Sequence, residues 1–187
     1  ICLDTKIPEG DAVLRRARLP REWTSVLDPS TDVHIFFPAC IRSRTRGYPV
    51  DMSELRMAEL SAATIVPVNN LSLKPGQEQF LAPVSYGIAA TVINPQTSWQ
   101  RVILDDDEVV GFVSANFDPE APEEHFRSVL WRINVDADDQ GRGVGRFAVE
   151  SLISEAQRRG AEHVDVIYEA GEGGPEAFFH RVGFKIG

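Results

Sequence analysis

Residues 138–160 read DDQGRGVGRFAVESLISEAQRRG, and this stretch decides the fold. It opens on a glycine-rich loop, Gln140-Gly141-Arg142-Gly143-Val144-Gly145, and runs without a break into one amphipathic helix. Ala148, Val149, Leu152, Ile153 and Ala156 recur at three and four residues, the spacing of a single buried helical face, while Ser151, Ser154, Glu155 and Arg158 take the other side. Arg158 and Arg159 suit the last turn, where cations favour the helix dipole, and Gly160 suits the left-handed cap. The near end is the unusual part. Gly141, Gly143 and Gly145 expose backbone N–H groups where the dipole is positive, which is a place to hold an anion such as a phosphate.

Working outward, residues 128–135 (SVLWRINV) form a β-branched and aromatic run, and residues 163–168 (HVDVIY) form another. Both read as strands. Strand, glycine loop, helix and strand make a β-α-β unit with two parallel neighbours and a right-handed crossover.

The whole chain has 187 residues, 43% of them hydrophobic, enough for one domain with a real core. No apolar run approaches the roughly 20 residues that a bilayer crossing needs, so no membrane partner is expected. The opening residues lack a basic start followed by an apolar stretch, and the two cysteines, Cys2 and Cys40, show no metal-ligand spacing. These features predict a cytoplasmic protein without a metal. Charge divides at Met52: 8 Lys and Arg stand against 7 Asp and Glu before it, and 11 against 21 from it onward. So acidic a domain repels nucleic acid. An anion at the glycine loop needs local help, which Arg142 and Arg146 are placed to give.

Residues 1–51 look foreign to the rest. They are rich in Arg and Pro, residues 32–41 (DVHIFFPACI) alone look able to make a strand, and helical periodicity extends no further than residues 12–18. The expectation is a division into a segment 1–51, poorly ordered or read through from upstream, and a domain 52–187. Within that domain residues 53–60 read as a strand and residues 61–71 as a helix capped by Ser61 and interrupted by Pro67. Residues 74–83 read as a loop and residues 84–93 as a second helix. The runs 99–104 and 109–117 read as a hairpin across the acids 105–108, which form a solvated turn or a lure for a polycation. Residues 118–126 add a second acidic patch.

Two motifs together carry a family resemblance. Gln140-x-x-Gly143-x-Gly145 after a strand resembles the pyrophosphate loop of the GNAT superfamily of acetyl-CoA dependent N-acetyltransferases. Residues 175–184 (PEAFFHRVGF) resemble the short helix and Gly-Phe ending of its other motif. The resemblance runs from Ser53 to the C-terminus, and residues 75–83 (PGQEQFLAP) with Val110-Gly111-Phe112 look most like the diamine or spermidine acetyltransferase branch. Gly143-Val-Gly145-Arg-Phe-Ala148 also fits a dinucleotide fingerprint. However, seven residues separate Val135 from Gly143, and only about forty follow the loop, too few for a doubly wound domain.

The resemblance implies an α/β mixed sheet of the acyl-CoA N-acyltransferase type and transfer of acetyl from acetyl-CoA to a small amine, a polyamine or diamine. It assigns the coenzyme to the backbone of Gln140, Gly141, Arg142, Gly143, Val144, Gly145 and Arg146, and carbonyl polarisation to the strand backbone at Ile133, Asn134 and Val135. Glu169 and Glu172 are candidate bases, or solvated loop acids. The family's tyrosine acid falls on Phe179, which has no proton to give. Tyr168 or His180 then replaces it, water protonates the thiolate, the thiolate leaves bare, or the chain is an acyl-CoA binding module without turnover. The family would continue beyond Gly187 through another strand, so an open sheet edge is expected, with a homodimer through that edge as one outcome.

Overall fold

SVLWRINV becomes strand β5 (Ser128–Val135) and HVDVIYE becomes β6 (His163–Glu169), joined by helix α3 (Val144–Arg158). In the computed structural model, which describes residues 12–18 and 55–186, these two strands are parallel neighbours at the centre of one mixed sheet. The remaining elements are β1 (Ala12–Arg18), β2 (Leu55–Ala58), α1 (Ile65–Asn69), α2 (Val84–Ile93), β3 (Ser98–Asp105), β4 (Glu108–Phe117), α4 (Glu176–Arg181) and β7 (Lys185–Ile186). Strand order is β2-β3-β4-β5-β6-β1-β7, and every pairing except β5 with β6 is antiparallel. Among the described residues no helix is long and apolar enough to cross a membrane.

The two sheet faces carry separate cores because strand side chains alternate. On one face α3 lays Val144, Ala148, Val149, Leu152 and Ala156 against Val110, Val113, Leu130, Val164 and Val166. Ile153 is only partly buried at the edge of this cluster. On the other face α1 and α2 cover Val102, Leu104 and Phe112 with Val68 and Val84. Full burial of a side chain of this size stabilises by about 1.5–3 kcal/mol. Gly87 lets α2 sit close, since a Cβ there would lie 3.0 Å from the Phe112 ring and 3.2 Å from Ser114 Oγ.

Helix α1 is shorter than the expected 61–71. Its N-cap is Thr64, whose Oγ1 accepts the Ser61 N–H at 2.9 Å, and Pro67 falls in the first turn, where a missing N–H breaks nothing. The β3–β4 hairpin is also tighter than expected. Its strands run through Asp105 and Glu108, leaving Asp106 and Asp107 as the turn, with Asp106 in the left-handed region at φ 55°. Asp105 is buried and Asp107 accepts from Arg56 Nη2 at 2.9 Å, so the four acids are not one solvated run.

One expectation for the N-terminal stretch needs correcting. Ala12–Arg18 is a strand, not a helix: it pairs antiparallel along the whole of β6, from Ala12 opposite Glu169 to Arg18 opposite His163. The cause is a partner far away in sequence. Arg16 Nε and Nη2 donate to the two oxygens of fully buried Asp165 at 2.8 and 2.9 Å, and Asp165 holds the Arg16 guanidinium above its ordinary pKa against the opposing effect of burial. The edge of β6 is therefore covered by β1, and β7 pairs outside it through Arg15 and Arg16. The expected strand at 32–41 lies outside the described residues.

Candidate active site

Parallel strands β5 and β6 touch only briefly. Val129 pairs with Asp165 and Leu130 with Val166, and no residue further along either strand pairs with the other. Ser114 faces Arg132 and Ala115 faces Leu130, so Trp131 is an extra residue without a partner on β4, a bulge placed where β5 leaves β6. Beyond it, alternate residues of β5 turn their N–H and C=O groups toward the space between the strands. Ile133 and Val135 pack toward the α3 core. Asn134 is buried on the opposite face, where it pairs with Phe112.

The opening leads to the glycine loop. Gly141 and Gly143 have φ of 86° and 99°, conformations that side chains resist, and Gly143 is the N-cap of α3. No side chain caps this helix and no acid lies in its first turn. The first intrahelical bond is Phe147 N–H to Gly143 O at 3.0 Å, which leaves the N–H groups of Val144, Gly145 and Arg146 at the positive end of the dipole. Gly145 admits the neighbouring helix, because a Cβ there would meet the Phe178 ring at 3.0 Å. Val144 itself is buried, so the N–H groups of Gly145 and Arg146 are the ones an anionic pyrophosphate fits.

The loop's side chains are differently employed. Gln140 Nε2 donates to Gln77 Oε1 at 2.8 Å and to Val135 O at 3.1 Å, while Gln140 Oε1 accepts from Gln77 Nε2 at 3.0 Å. Gln140 thus ties the loop to the segment before α2. Arg142 is ion-paired with Asp139 and lies 3.8 Å from Asp105, so its charge is turned into the protein. It borders a cavity of about 690 Å³ lined by Asp107, Glu108, Asp136, Asp138 and Asp139, a surround that repels phosphate. Arg146 is the outward cation, half exposed and 3.9 Å from Glu150.

The candidate proton-transfer groups separate clearly. Phe179 is buried and stacks on Tyr168 with ring centroids 5.2 Å apart and an interplanar angle of 23°, while Phe184 meets it edge-on at 5.5 Å. Tyr168 is itself buried, on the part of β6 that no longer touches β5. His180, Glu169 and Glu172 are all exposed. His180, one position from Phe179 on the same helix, is turned away from the packed cluster.

Two features of the site are silent in the sequence and a third leaves only a faint signal there. Segment 72–83 spans the mouth of the opening: Ser72 N–H and Oγ donate to Asp136 at 2.9 and 3.0 Å, Gln77 holds Gln140, and the Phe80 ring covers Gly171, where a Cβ would approach within 2.9 Å. The bulge at Trp131 follows from register alone. Finally, Gln100, Ser114 and Arg132 lie side by side across β3, β4 and β5 on the α2 face. Polar residues inside apolar strands were the available signal. Burial lowers the Arg132 pKa from its ordinary value, and Tyr86, whose ring centroid is 5.9 Å from its Cζ, acts the other way. Among the described residues no group of three or more His, Cys, Asp or Glu side chains is arranged to hold a metal.

Comparison with known proteins agrees with this geometry. Two curated relatives carry the name L-2,4-diaminobutyric acid acetyltransferase: one from Wolinella succinogenes, 25% identical over 84 residues (44% of this chain and 47% of that protein), and one from Shouchella clausii, 30% identical over 81 residues (43% and 44%). The matches thus span about half the length of those relatives. Among solved structures, AAC(6')-Iy with the bisubstrate analog CoA-S-monomethyl-acetylneamine superposes with a TM-score of 0.53 at 13% identity, covering 70% of this chain and 90% of that one. A GCN5-related N-acetyltransferase from Sphaerobacter thermophilus gives 0.53 at 12% identity over 94% of this chain and 48% of its own. Both establish the fold. Residues 70–184 match the Acetyltransferase (GNAT) family across the loop, the opening and the short helix described above, and the chain belongs to that family.

Proposed function

We propose that this chain transfers acetyl from acetyl-CoA to a primary amine of a small diamine. The observation that carries the proposal is the continuity of two features: β5 and β6 separate after the Leu130–Val166 pair, and the opening runs directly to the uncapped N-terminus of α3. The N–H groups of Gly145 and Arg146 hold the pyrophosphate, with Arg146 adding charge from outside. The free edge of β5 accepts the pantetheine amides as an added strand would. Backbone N–H groups within residues 131–135 polarise the thioester carbonyl.

The acceptor ammonium, with an ordinary pKa near 10.4, must lose a proton before attack. Glu169 or Glu172, exposed at the end of β6, takes it through water. The new C–N bond forms as the C–S bond breaks, Tyr168 gives its phenolic proton to the departing thiolate, and the extra proton on the acylated nitrogen returns through water to the tyrosinate. Tyr168 is favoured because it stacks on Phe179, the position from which the family's tyrosine acts, whereas His180 faces solvent. Support for a diamine comes from the names of the two curated relatives.

One observation favours a second reading, an acyl-CoA binding module: Phe179 is a packed core residue with no proton to donate. Thiol release from acetyl-CoA by the whole chain, measured with and without diamines, decides between them. Amine-dependent release is expected. Acetyl-CoA raising the melting temperature with no release under any amine would establish the binding module instead.

A further inference from the structure

The α2 face of the sheet is apolar except for one row. Gln100, Ser114 and Arg132 are register partners across three strands, and Asn134 follows Arg132 on the same face. Gln100 Oε1, Ser114 Oγ and Asn134 Oδ1 are sealed from solvent and accept no hydrogen bond. Ser114 Oγ lies directly beneath Gly87 of α2. Arg132 is half-buried beside the Trp131 bulge, and among the described residues its contact is the face of Tyr86, with no carboxylate and no hydrogen bond. Tyr86 is 62% exposed, so the Arg132 side chain runs from the bulge toward the surface under an aromatic ring.

A half-buried cation without a counter-ion is costly, and the contact it makes in the fold is with the Tyr86 ring. Elsewhere in this acidic chain the guanidinium groups of Arg16, Arg56, Arg142, Arg158 and Arg159 each meet a carboxylate. Arg132 stands one residue from the point where the strand opens, on the face away from the α3 core. Successive same-face positions on a strand are about 7 Å apart, the scale of a short diamino acid.

We propose that Arg132 binds the carboxylate of the amine acceptor, so that the substrate class is an amino acid bearing a second amine rather than a simple polyamine. The proposal deepens the transferase reading and rests on it for the direction in which the amine points. A planar guanidinium matches a carboxylate in two parallel hydrogen bonds, and Tyr86 shields that pair from water. A polyamine, cationic along its length, would meet Arg132 as a like charge.

The test uses two acceptors that differ only in the carboxylate, L-2,4-diaminobutyrate and 1,3-diaminopropane. Their binding to the full chain in the presence of CoA is measured by titration calorimetry, alongside thiol release from acetyl-CoA. The wild type is expected to bind the diamino acid at least tenfold more tightly. Arg132→Gln should weaken it by about 30-fold, the size expected for a charge-assisted hydrogen bond, collapse the preference, and leave CoA affinity within threefold. Arg132→Lys should retain part of the preference. Equal binding of the two acceptors by the wild type, equal weakening of both in Arg132→Gln, or a matching loss of CoA affinity would overturn the proposal. A carboxylate preference lost in Arg132→Gln with no thiol release from either amine would uphold the subsite and sink the transferase reading. Release equal for both amines would do the reverse.

Discussion

Phe179 and Tyr168 are a pair in which packing and chemistry have changed places. Phe179 sits among Tyr168, Phe178 and Phe184 with three ring contacts under 6 Å, so its truncation to Ala should cost about 3–5 kcal/mol, measurable as a shift in the urea midpoint. Tyr168→Phe keeps the ring and removes the proton. It should lower the rate of thiol release about 100-fold while CoA affinity is kept. A rate within threefold of wild type would remove Tyr168 from the mechanism. Phe179 was legible in the sequence as a departure from the family motif, but its stacking partner was not, because Tyr168 reads equally well as sheet core. Arg132 was illegible for a related reason: its lack of a carboxylate is a fact about neighbours on α2 and β4, which the sequence does not juxtapose.

Helix α3 was the most legible element, since its glycines, apolar face and terminal arginines are all local signals. The structure adds a clamp at its end. Glu155 Oε1 and Oε2 accept from Arg158 at 2.7 and 2.9 Å, and Oε1 accepts from Arg159 at 2.6 Å. The Arg158 hydrogen bond chiefly lowers the Glu155 pKa to about 2, with Arg159 adding to it against the effect of burial. Because the folded pKa lies below the ordinary 4.5, the clamp stabilises above that value and is lost as pH falls toward about 2. Glu155→Gln should therefore cost about 1 kcal/mol at pH 7, exposure of Arg158 screening the pair, and the difference from wild type should vanish in acid. A difference constant from pH 7 to pH 2 would contradict the assignment. At the other end Gly143→Ala places a Cβ at φ 99° and should destabilise by roughly 1–2 kcal/mol. The acceptor-side elements were harder to place, because α1 is one short turn held by Thr64 and by the docking of residues 72–83.

At the scale of the molecule, β1 was missed because its signal is not local. Its stretch AVLRRAR has no clean alternation, and Arg16 belongs in a sheet only because Asp165 waits 149 positions away. Removing one member of a buried pair leaves the other uncompensated, so Arg16→Met should cost about 3–5 kcal/mol, while Arg16→Met with Asp165→Leu should recover most of it. We propose on this basis that residues 12–18 are integral to the domain, and that a chain starting at Met52 melts well below the full chain. Equal melting temperatures would show β1 to be dispensable. The β-α-β unit and the short helix α4 were readable from glycines and β-branched runs. The closure of the sheet by β1 and the strap of residues 72–83 were not, since both depend on partners distant in sequence.

The uncapped N-terminus of α3, at the end of the β5–β6 opening, is the proposed seat of the coenzyme's phosphates. The most direct test is calorimetric titration of CoA into the full chain, into Gly143→Glu and into the exposed variant Arg146→Glu, each checked for an intact melting transition. Saturable binding by the wild type, at least 30-fold weaker in Gly143→Glu and about tenfold weaker in Arg146→Glu, is the predicted result. Binding of equal strength in all three proteins would place the coenzyme elsewhere and contradict the account.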